Sequence, residues 1–265
     1  MADIRSGTVY FVGAGPGAAD LISVRGRELV CAADLLVYAD SLVDEAHAAY
    51  AKQSAHVLGS STMTLDQMVA LMAEAATRGE VVVRLHSGDP SIYGAMHEQI
   101  VALRAAGVPY VVVPGISSAF AAAAALGVEL TVPNVAQTVI FTRAQGRASA
   151  VPEGESLRSL AAHGTTLALF LSAAIIRHAV EDLIAGGYAV DTPAVVAYRI
   201  SWPDELLLRC TLAEVESTLR AHTITKSALI LIGPALAVEG ADDARSRLYD
   251  STYTHLYRRG EPSHD

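Results

Sequence analysis

A single carboxylate, Asp89, stands directly after one of the most strand-like stretches of the chain. Residues 81–86 are typical of a strand that stops at Gly88, Asp89 and Pro90, and a helical pattern follows over residues 96–103. In open α/β sheets, ligands bind outside the carboxyl ends of the strands, so this aspartate is placed where a ligand would lie. Pro90 holds it in an extended conformation, and a lone carboxylate favours ligand hydroxyl groups or a cation over a phosphate. The alternative is that Asp89 only caps the following helix.

A glycine-rich corner follows the first predicted strand, residues 8–12. Gly13, Gly15 and Ala18 match the G-x-G-x-x-G/A spacing of dinucleotide-binding loops, and Asp40 lies where the acid that binds the ribose is expected. Taken alone, this corner is also typical of a dehydrogenase.

Two residues of the same corner argue against phosphate binding. Pro16 removes a backbone N–H from a loop that would have to donate N–H groups to a pyrophosphate, and Asp20 adds negative charge nearby. A corner in which Gly13 and Gly15 let a bulky, flat ligand approach the backbone fits these residues better.

A third corner of small residues follows the predicted strand 108–113. Gly115 permits a close approach of the backbone, and Ser117 and Ser118 offer hydroxyl groups at the start of an alanine-rich helix over residues 119–126. The alternative is that one serine is only the N-cap of that helix. Because this corner and the Asp89 corner end two successive strands, we expect them to share a ligand pocket.

Two arginines after the predicted strand 137–142 are candidates for holding an anionic substrate. Arg143 and Arg147 belong to a predicted loop over residues 143–155. A guanidinium group pairs with a carboxylate through two parallel hydrogen bonds, which suits a ligand edged with acid groups. The alternative is a solvated loop without a ligand.

Composition narrows the class of protein. The chain has 265 residues, 52% of them hydrophobic, and a formal net charge of −9 without a run of lysines or arginines, which argues against nucleic-acid binding. Cys31 and Cys210 lack the spacing of metal ligands, so we expect reduced core cysteines of a cytoplasmic protein and no metal site. No stretch has the pattern of a signal peptide or of a membrane span.

The elements that must position these residues alternate between strands and helices, which predicts an α/β fold. Strands of the first half are expected at residues 8–12, 34–39, 55–58, 81–86 and 108–113. Strands of the second half are expected at residues 137–142, 165–171, 194–200, 205–211 and 227–233. A hairpin around residues 201–204 predicts that the second sheet is mixed.

Together these corners resemble the tetrapyrrole (corrin/porphyrin) methylases, a family of S-adenosylmethionine-dependent enzymes. The matching segments extend over nearly the whole chain, at residues 9–21, 84–94, 113–119, 167–172 and 227–233. Within the family, three further segments are similar to the precorrin-4 C(11)-methyltransferases of vitamin B12 (cobalamin) biosynthesis: residues 137–153, 198–205 and 248–258.

The resemblance implies two α/β domains, each with a roughly five-stranded sheet flanked by helices, and an active-site cleft between them. We expect an N-terminal domain over residues 1–114, a C-terminal domain over residues 115–245 and an irregular tail over residues 246–265. Members of the family are commonly dimeric, so a homodimer is expected.

The resemblance also implies roles for individual residues. The cofactor S-adenosylmethionine, which leaves as S-adenosylhomocysteine, is expected to contact Pro16, Ser87, Gly88, Asp89, Ile92, Met96, Ser117, Ser118, Leu171 and Ala228. Chain position adds Tyr198 to these contacts. The tetrapyrrole substrate is expected to contact Gly13, Gly15, Arg143, Arg147 and Arg199. No residue is assigned as a catalytic acid or base. His86 and Tyr93 lie nearby in the sequence if the reaction uses a base, but a histidine at a strand end is more often a packed residue.

The reaction implied is an in-line displacement in which carbon 11 of precorrin-4 takes the sulfonium methyl group to give precorrin-5. Alternatives within the family are the cobalt-precorrin-4 C(11)-methyltransferases and the enzymes that methylate uroporphyrinogen III, precorrin-2 or precorrin-3. A non-catalytic nucleotide-binding module is the alternative from a different class of protein.

Overall fold

The computed structural model describes residues 3–146, 150–152, 154–237, 246 and 250–260. Contacts between Cα atoms divide the chain into two compact units, one of residues 1–121 with 199–205 and one of residues 122–198 with 206–265. The sequence pattern did not indicate that residues 199–205 belong with the first unit. The domain boundary between residues 114 and 115 stays a prediction.

The first unit is built on a sheet of five parallel strands in the order β3-β2-β4-β1-β5. The strands are β1 (Thr8–Gly13), β2 (Leu35–Tyr38), β3 (His56–Gly59), β4 (Val81–His86) and β5 (Tyr110–Val113). Every residue of β1 and β4 is buried, as expected for central strands covered on both faces. Because all five strands are parallel, the loops that follow them share one edge of the sheet.

Helices cover both faces of this sheet. They are α1 (Val24–Ala32), α2 (Glu45–Ala48), α3 (Leu65–Thr77), α4 (Met96–Ala105) and α5 (Ser118–Leu126), the last of which begins in this unit. On one face, α1 contributes Leu29 to the core cluster around Val12. On the other face, α3 and α4 contribute Met72 and Leu103 to the cluster around Phe11.

The second unit is built on a sheet of five strands in the order β6-β7-β10-β8-β9. The strands are β6 (Val139–Arg143), β7 (Thr166–Phe170), β8 (Pro193–Tyr198), β9 (Leu206–Thr211) and β10 (Ala228–Ile232). β6 and β7 pair in parallel, the other neighbours pair antiparallel, and β8 and β9 form the predicted hairpin. The helices of this unit are α6 (Leu157–Ala161), α7 (Ile176–Gly186) and α8 (Val215–Ala221).

Two sheets of five strands flanked by helices confirm the predicted fold class. Two differences in the strand ends concern candidate site residues. Arg143 is the last residue of β6 and not the first residue of a loop, and β8 ends at Tyr198 and not at Ile200. β8 ends early because Arg199 has a left-handed backbone, with φ 44°, which no strand accommodates.

The two cysteines differ from the sequence-based expectation in one respect. Both are free thiols, but Cys31 is exposed and therefore is not a core residue. Leu29 and Val30 take the buried face of α1, so the next position along the helix points towards solvent.

In the described part of the chain, no helix combines the length and the apolarity needed to cross a membrane. Residues 250–260 form turns and one isolated bridge between His255 and Arg258.

Candidate cofactor site

Three glycines meet at the carboxyl edge of the first sheet, each at the end of a different strand. Gly13 ends β1, Gly88 follows β4 and Gly115 follows β5. A Cβ atom on Gly13 would lie 2.5 Å from the Cα atom of Gly115 and 2.6 Å from the carbonyl oxygen of Gly88. A Cβ atom on Gly115 would collide with the same carbonyl oxygen. The three loops therefore contact one another through backbone atoms, an approach that only glycine allows.

Backbone hydrogen bonds fasten the loop after β1 to the end of β4. The N–H of Gly88 donates to the carbonyl of Gly15 at 2.8 Å, and the N–H of Gly15 donates to the carbonyl of Gly88 at 3.2 Å. The N–H of Ala14 donates to the carbonyl of His86 at 2.7 Å. Gly15 has φ 86°, a left-handed conformation that suits glycine. The glycine-rich corner after β1 and the Asp89 corner after β4 are therefore joined by backbone hydrogen bonds.

Asp89 lies beside this glycine contact, and both of its carboxylate oxygens are held. Oδ2 accepts a hydrogen bond of 2.8 Å from the N–H of Gly115. Oδ1 accepts one of 2.8 Å from the N–H of Ser91 and a short one from the Ser91 hydroxyl. Partial burial opposes ionisation of Asp89, but the hydrogen bonds from Ser91 and Gly115 outweigh it and lower its pKa below the ordinary value. Asp89 is therefore a fixed, ionised carboxylate at neutral pH.

The alternative role of Asp89 as a helix N-cap is wrong. α4 begins at Met96, and its N-cap position is Ala95, which makes no side-chain capping bond. Ala95 and Tyr93 both have left-handed backbones, with φ 48° and 53°. Such conformations are costly for residues other than glycine and often mark functional loops. Ile92 and Met96, the other predicted cofactor contacts of this segment, are half-buried.

Ser117 and Ser118 lie where the loop after β5 enters α5. The helix begins at Ser118, and the Ser117 hydroxyl accepts a weak hydrogen bond of 3.4 Å from the N–H of Ala119. Ser117 is buried and Ser118 is half-buried. Ser117 is therefore the serine that caps α5, as the alternative interpretation expected. Contact of either serine with the cofactor stays a prediction.

The remaining predicted contacts of the first unit border the same edge. Ser87 is half-buried and comes between the end of β4 and Gly88. Pro16 is buried and follows Gly15 in the loop after β1.

Four predicted residues of the second unit gather at one edge of its sheet. Arg143 at the end of β6 is paired with Phe170 at the end of β7, and Leu171 follows directly. Tyr198 at the end of β8 is paired with Ala228 at the start of β10. Because β10 runs antiparallel to β7 and β8, its start lies beside the ends of both. Leu171 is 70% exposed and has φ 53°, an unusual combination for leucine.

Of the two arginines around the end of β6 that are predicted to contact the substrate, Arg143 and Arg147, only Arg143 lies in the described part of the chain. The guanidinium of Arg143 donates to the carbonyl of Ala150 at 3.0 Å and to that of Ala144 at 3.4 Å, so it holds its own loop. Arg147 lies outside the described residues.

Arg199 is held within residues 199–205 of the first unit. Its guanidinium lies 4.2 Å from the ring centroid of Trp202, and its Nε donates to the carboxylate of Asp204 at 2.7 Å. The structure therefore assigns Arg199 and Arg143 to different units.

Two polar residues of β4 are buried, His86 as expected of a packed histidine at a strand end, and Arg84, which the sequence analysis did not single out. Arg84 and His86 are 6% and 3% exposed, and residues two apart on a strand share one face. Burial lowers the pKa of Arg84 to about 10. Burial, aided by the nearby Arg84 charge, lowers the pKa of His86 to about 3, so its ring is neutral at physiological pH. The only signal in the sequence was the presence of polar residues in an otherwise apolar strand.

Asp40, which the spacing places where a ribose-binding acid is expected, is held by Ser61. Its carboxylate already accepts hydrogen bonds from the N–H of Ser61 at 2.8 Å and from the Ser61 hydroxyl at 2.6 Å, and these bonds lower its pKa.

The fold and the glycine-lined edge define a class of protein. The sequence profile of the tetrapyrrole (corrin/porphyrin) methylases matches residues 8–216, and the chain belongs to this family. Among curated proteins, the cobalt-precorrin-4 C(11)-methyltransferase of Priestia megaterium is 47% identical over 256 residues, which cover 96% of this chain and 99% of the relative. The precorrin-4 C(11)-methyltransferase of Pseudomonas aeruginosa is 46% identical over 254 residues, which cover 96% of this chain and 100% of the relative.

Solved structures agree with this assignment. The crystal structure of a cobalt precorrin-4 methyltransferase, a cobalamin biosynthetic enzyme, has a TM-score of 0.85 at 46% identity and covers 87% of this chain and 96% of that one. The uroporphyrin-III C-methyltransferase of Thermus thermophilus, in complex with S-adenosylhomocysteine, has a TM-score of 0.71 at 26% identity and covers 86% of this chain and 98% of that one. These relatives confirm the predicted enzyme class, a methyltransferase, and the alternative of a non-catalytic nucleotide-binding module is wrong.

Proposed function

We propose that this protein transfers a methyl group from S-adenosylmethionine to carbon 11 of precorrin-4, giving precorrin-5 in cobalamin biosynthesis. The observation that carries the proposal is the fixed, ionised carboxylate of Asp89 beside three contacting glycines at the carboxyl edge of a parallel sheet. Membership of the tetrapyrrole methylases and the names of the relatives support the substrate. The relative solved with S-adenosylhomocysteine supports the cofactor.

The residues of this edge fit the proposed cofactor. S-adenosylmethionine presents ribose hydroxyl groups and an ammonium group, and an ionised carboxylate such as Asp89 binds either strongly. The close contact of Gly13, Gly88 and Gly115 fixes the backbone beside Asp89, so the carboxylate is already in place before the cofactor binds. The other proposed cofactor contacts are Pro16, Ser87, Ile92, Met96, Ser117 and Ser118 in the first unit and Leu171, Tyr198 and Ala228 in the second.

When bound, S-adenosylmethionine supplies a methyl group on a positively charged sulfur. Carbon 11 of the substrate provides the electron pair of the new C–C bond, and the electrons of the broken C–S bond stay on sulfur. The protein contributes by holding the two reacting atoms in line and by excluding water. Asp89 is ionised at neutral pH, so it can orient the cofactor through charge-assisted hydrogen bonds.

The proposed substrate contacts are Gly13, Gly15, Arg143, Arg147 and Arg199. Gly13 and Gly15 are buried, and a Cβ atom on either would meet the backbone of Gly115 or Leu21, so their lack of a side chain serves packing and their substrate contact rests on the resemblance alone. Arg143 exchanges its bonds to backbone carbonyls for stronger, charge-assisted bonds to a substrate carboxylate. Trp202 and Asp204 present the guanidinium of Arg199 in a fixed orientation.

Mass spectrometry of the tetrapyrrole after anaerobic incubation with S-adenosylmethionine tests the proposal. We expect a mass gain of one methyl group, located at carbon 11. Metal-free and cobalt-loaded precorrin-4 are compared because relatives named for either substrate are 46–47% identical to this chain. No gain with either substrate would contradict the proposed substrate, and no binding of S-adenosylhomocysteine would contradict the proposed cofactor.

Asp89→Asn tests the role of the carboxylate. The variant keeps the shape of the side chain and removes its charge, so we expect kcat/KM to fall by about 10- to 100-fold. Asp66→Asn removes an exposed charge in the first turn of α3 and serves as the matched control, with activity close to that of the unaltered protein. Equal activity of the two variants would contradict the role of Asp89.

The proposal extends to assembly and location. We infer a homodimer in the cytoplasm, as the family resemblance and the reduced cysteines suggest.

A further inference from the structure

Residues 199–205 pack directly on the glycine loop that follows β1. A Cβ atom on Gly17 would lie 2.5 Å from Nε1 of Trp202 and 2.8 Å from the carbonyl oxygen of Ile200, so the indole ring rests on the bare backbone of Gly17. The guanidinium of Arg199 stacks on the same indole ring, and Asp204 holds that guanidinium. The position of Trp202 is therefore fixed by contacts on its own segment as well as by the loop.

Ser201 connects the same two segments by a hydrogen bond. Its hydroxyl oxygen accepts the N–H of Ala18 at 2.9 Å. Ser201 has a left-handed backbone with φ 64°, which is uncommon for serine, and its own N–H donates to the carboxylate of Glu205 at 2.5 Å. A segment that holds a serine in a costly conformation, with its hydroxyl on a backbone N–H, has the features of a built contact.

The loop of residues 15–18 is in turn hydrogen-bonded to the loop that carries Asp89. Gly15 exchanges two backbone hydrogen bonds with Gly88, and Asp89 follows Gly88 and is held by Gly115. A continuous series of hydrogen bonds and close backbone contacts thus leads from residues 201–202 to the carboxylate that is the proposed cofactor ligand.

We propose that Ser201 and Trp202 are positioning residues for the cofactor, because they hold the loop of residues 15–18 against Gly88 and so keep Asp89 in its binding geometry. The inference rests on the proposed function. A loop with glycine at positions 15 and 17 has high conformational freedom, and a ligand that had to order it would bind more weakly. Contacts from residues 201 and 202 order the loop in advance.

Titration calorimetry with S-adenosylhomocysteine and the full-length protein tests the inference. We expect Ser201→Ala to raise the dissociation constant by about fivefold, the effect of one hydrogen bond. Trp202→Leu removes the aromatic stacking and is expected to raise it by about tenfold or more, whereas Trp202→Phe keeps a ring and stays within about threefold. Ser156→Ala is the matched control, because its hydroxyl also accepts a backbone N–H, that of Ser159 at 3.2 Å, but in the second unit. It is expected to bind like the unaltered protein.

Hydrogen exchange without ligand gives a readout that does not depend on the proposed function. The amides of Gly15, Ala18 and Gly88 are expected to exchange faster in Ser201→Ala and Trp202→Leu than in the control. If Trp202→Leu fails to fold, the milder Ser201→Ala decides. Unchanged affinity in Ser201→Ala, or unchanged exchange at these amides, overturns the inference. Failure of the unaltered protein to bind S-adenosylhomocysteine overturns the proposed function, and with it the cofactor role of these residues.

Discussion

His86 is a titratable residue that the folded protein keeps neutral. Burial, aided by Arg84, lowers its pKa to about 3 from the ordinary value of 6.5. Between these two pH values, an unfolded chain binds a proton that the folded chain does not, so acidification favours unfolding. From this residue alone, we expect the free energy of unfolding to fall by about 2 kcal/mol between pH 7 and pH 5.

Urea unfolding at pH 7 and pH 5 checks this prediction. His86→Gln keeps a polar side chain but cannot titrate, so it is expected to lose this share of the pH dependence, even if it is less stable than the unaltered protein at pH 7. His163→Gln, at an exposed position of the second unit, is expected to retain it. The same loss of stability on acidification in His86→Gln and in the unaltered protein would show that burial of His86 is not its cause.

At the scale of elements, the ends of β1, β4 and β5 are joined without intervening side chains. A Cβ atom on Gly115 would collide with the carbonyl of Gly88 and lie 2.7 Å from the Cα atom of Gly13. Gly115→Ala therefore forces the loops apart, and we expect it to cost about 1–3 kcal/mol of stability and to weaken binding of S-adenosylhomocysteine. Gly146→Ala is the control, because its Cβ atom meets open space among the described residues. Wild-type affinity in Gly115→Ala would refute a tight contact at this edge.

At the scale of the whole molecule, an exposed apolar strand bears on assembly. β5 is an edge strand of the first sheet, and its Val111 and Val112 are 41% and 40% exposed. Exposed apolar edge strands tend to pair or to be covered. We expect a second copy of the chain to cover β5. Light scattering should then give a molar mass of twice the 27.7 kDa of one chain. Val112→Lys is expected to lower that mass, and Val101→Lys, at an exposed position of α4, is expected to leave it unchanged. A single-chain mass for the unaltered protein would contradict the homodimer.

Short stretches of the sequence encode the local features of this protein. Runs of β-branched residues that end at glycine or proline predict a strand and its following turn without reference to the rest of the chain. On this basis, all ten strands are predicted and Gly13, Asp89 and Gly115 are placed at strand ends, whereas the grouping into two five-stranded sheets comes from the family resemblance. Strand ends such as that of β8 were less exact, because the left-handed backbone at Arg199 leaves no mark in the hydrophobic pattern.

Which of these features contact one another, and which are buried, depends on the packing of the whole fold. Gly15 pairs with Gly88, and Trp202, which lies 185 residues after Gly17, packs on it. Many arrangements would bring such distant segments together, and the one adopted is selected by packing over the whole fold, which no local pattern encodes. For the same reason, the exposure of Cys31 and the burial of Arg84 became visible only in the folded chain.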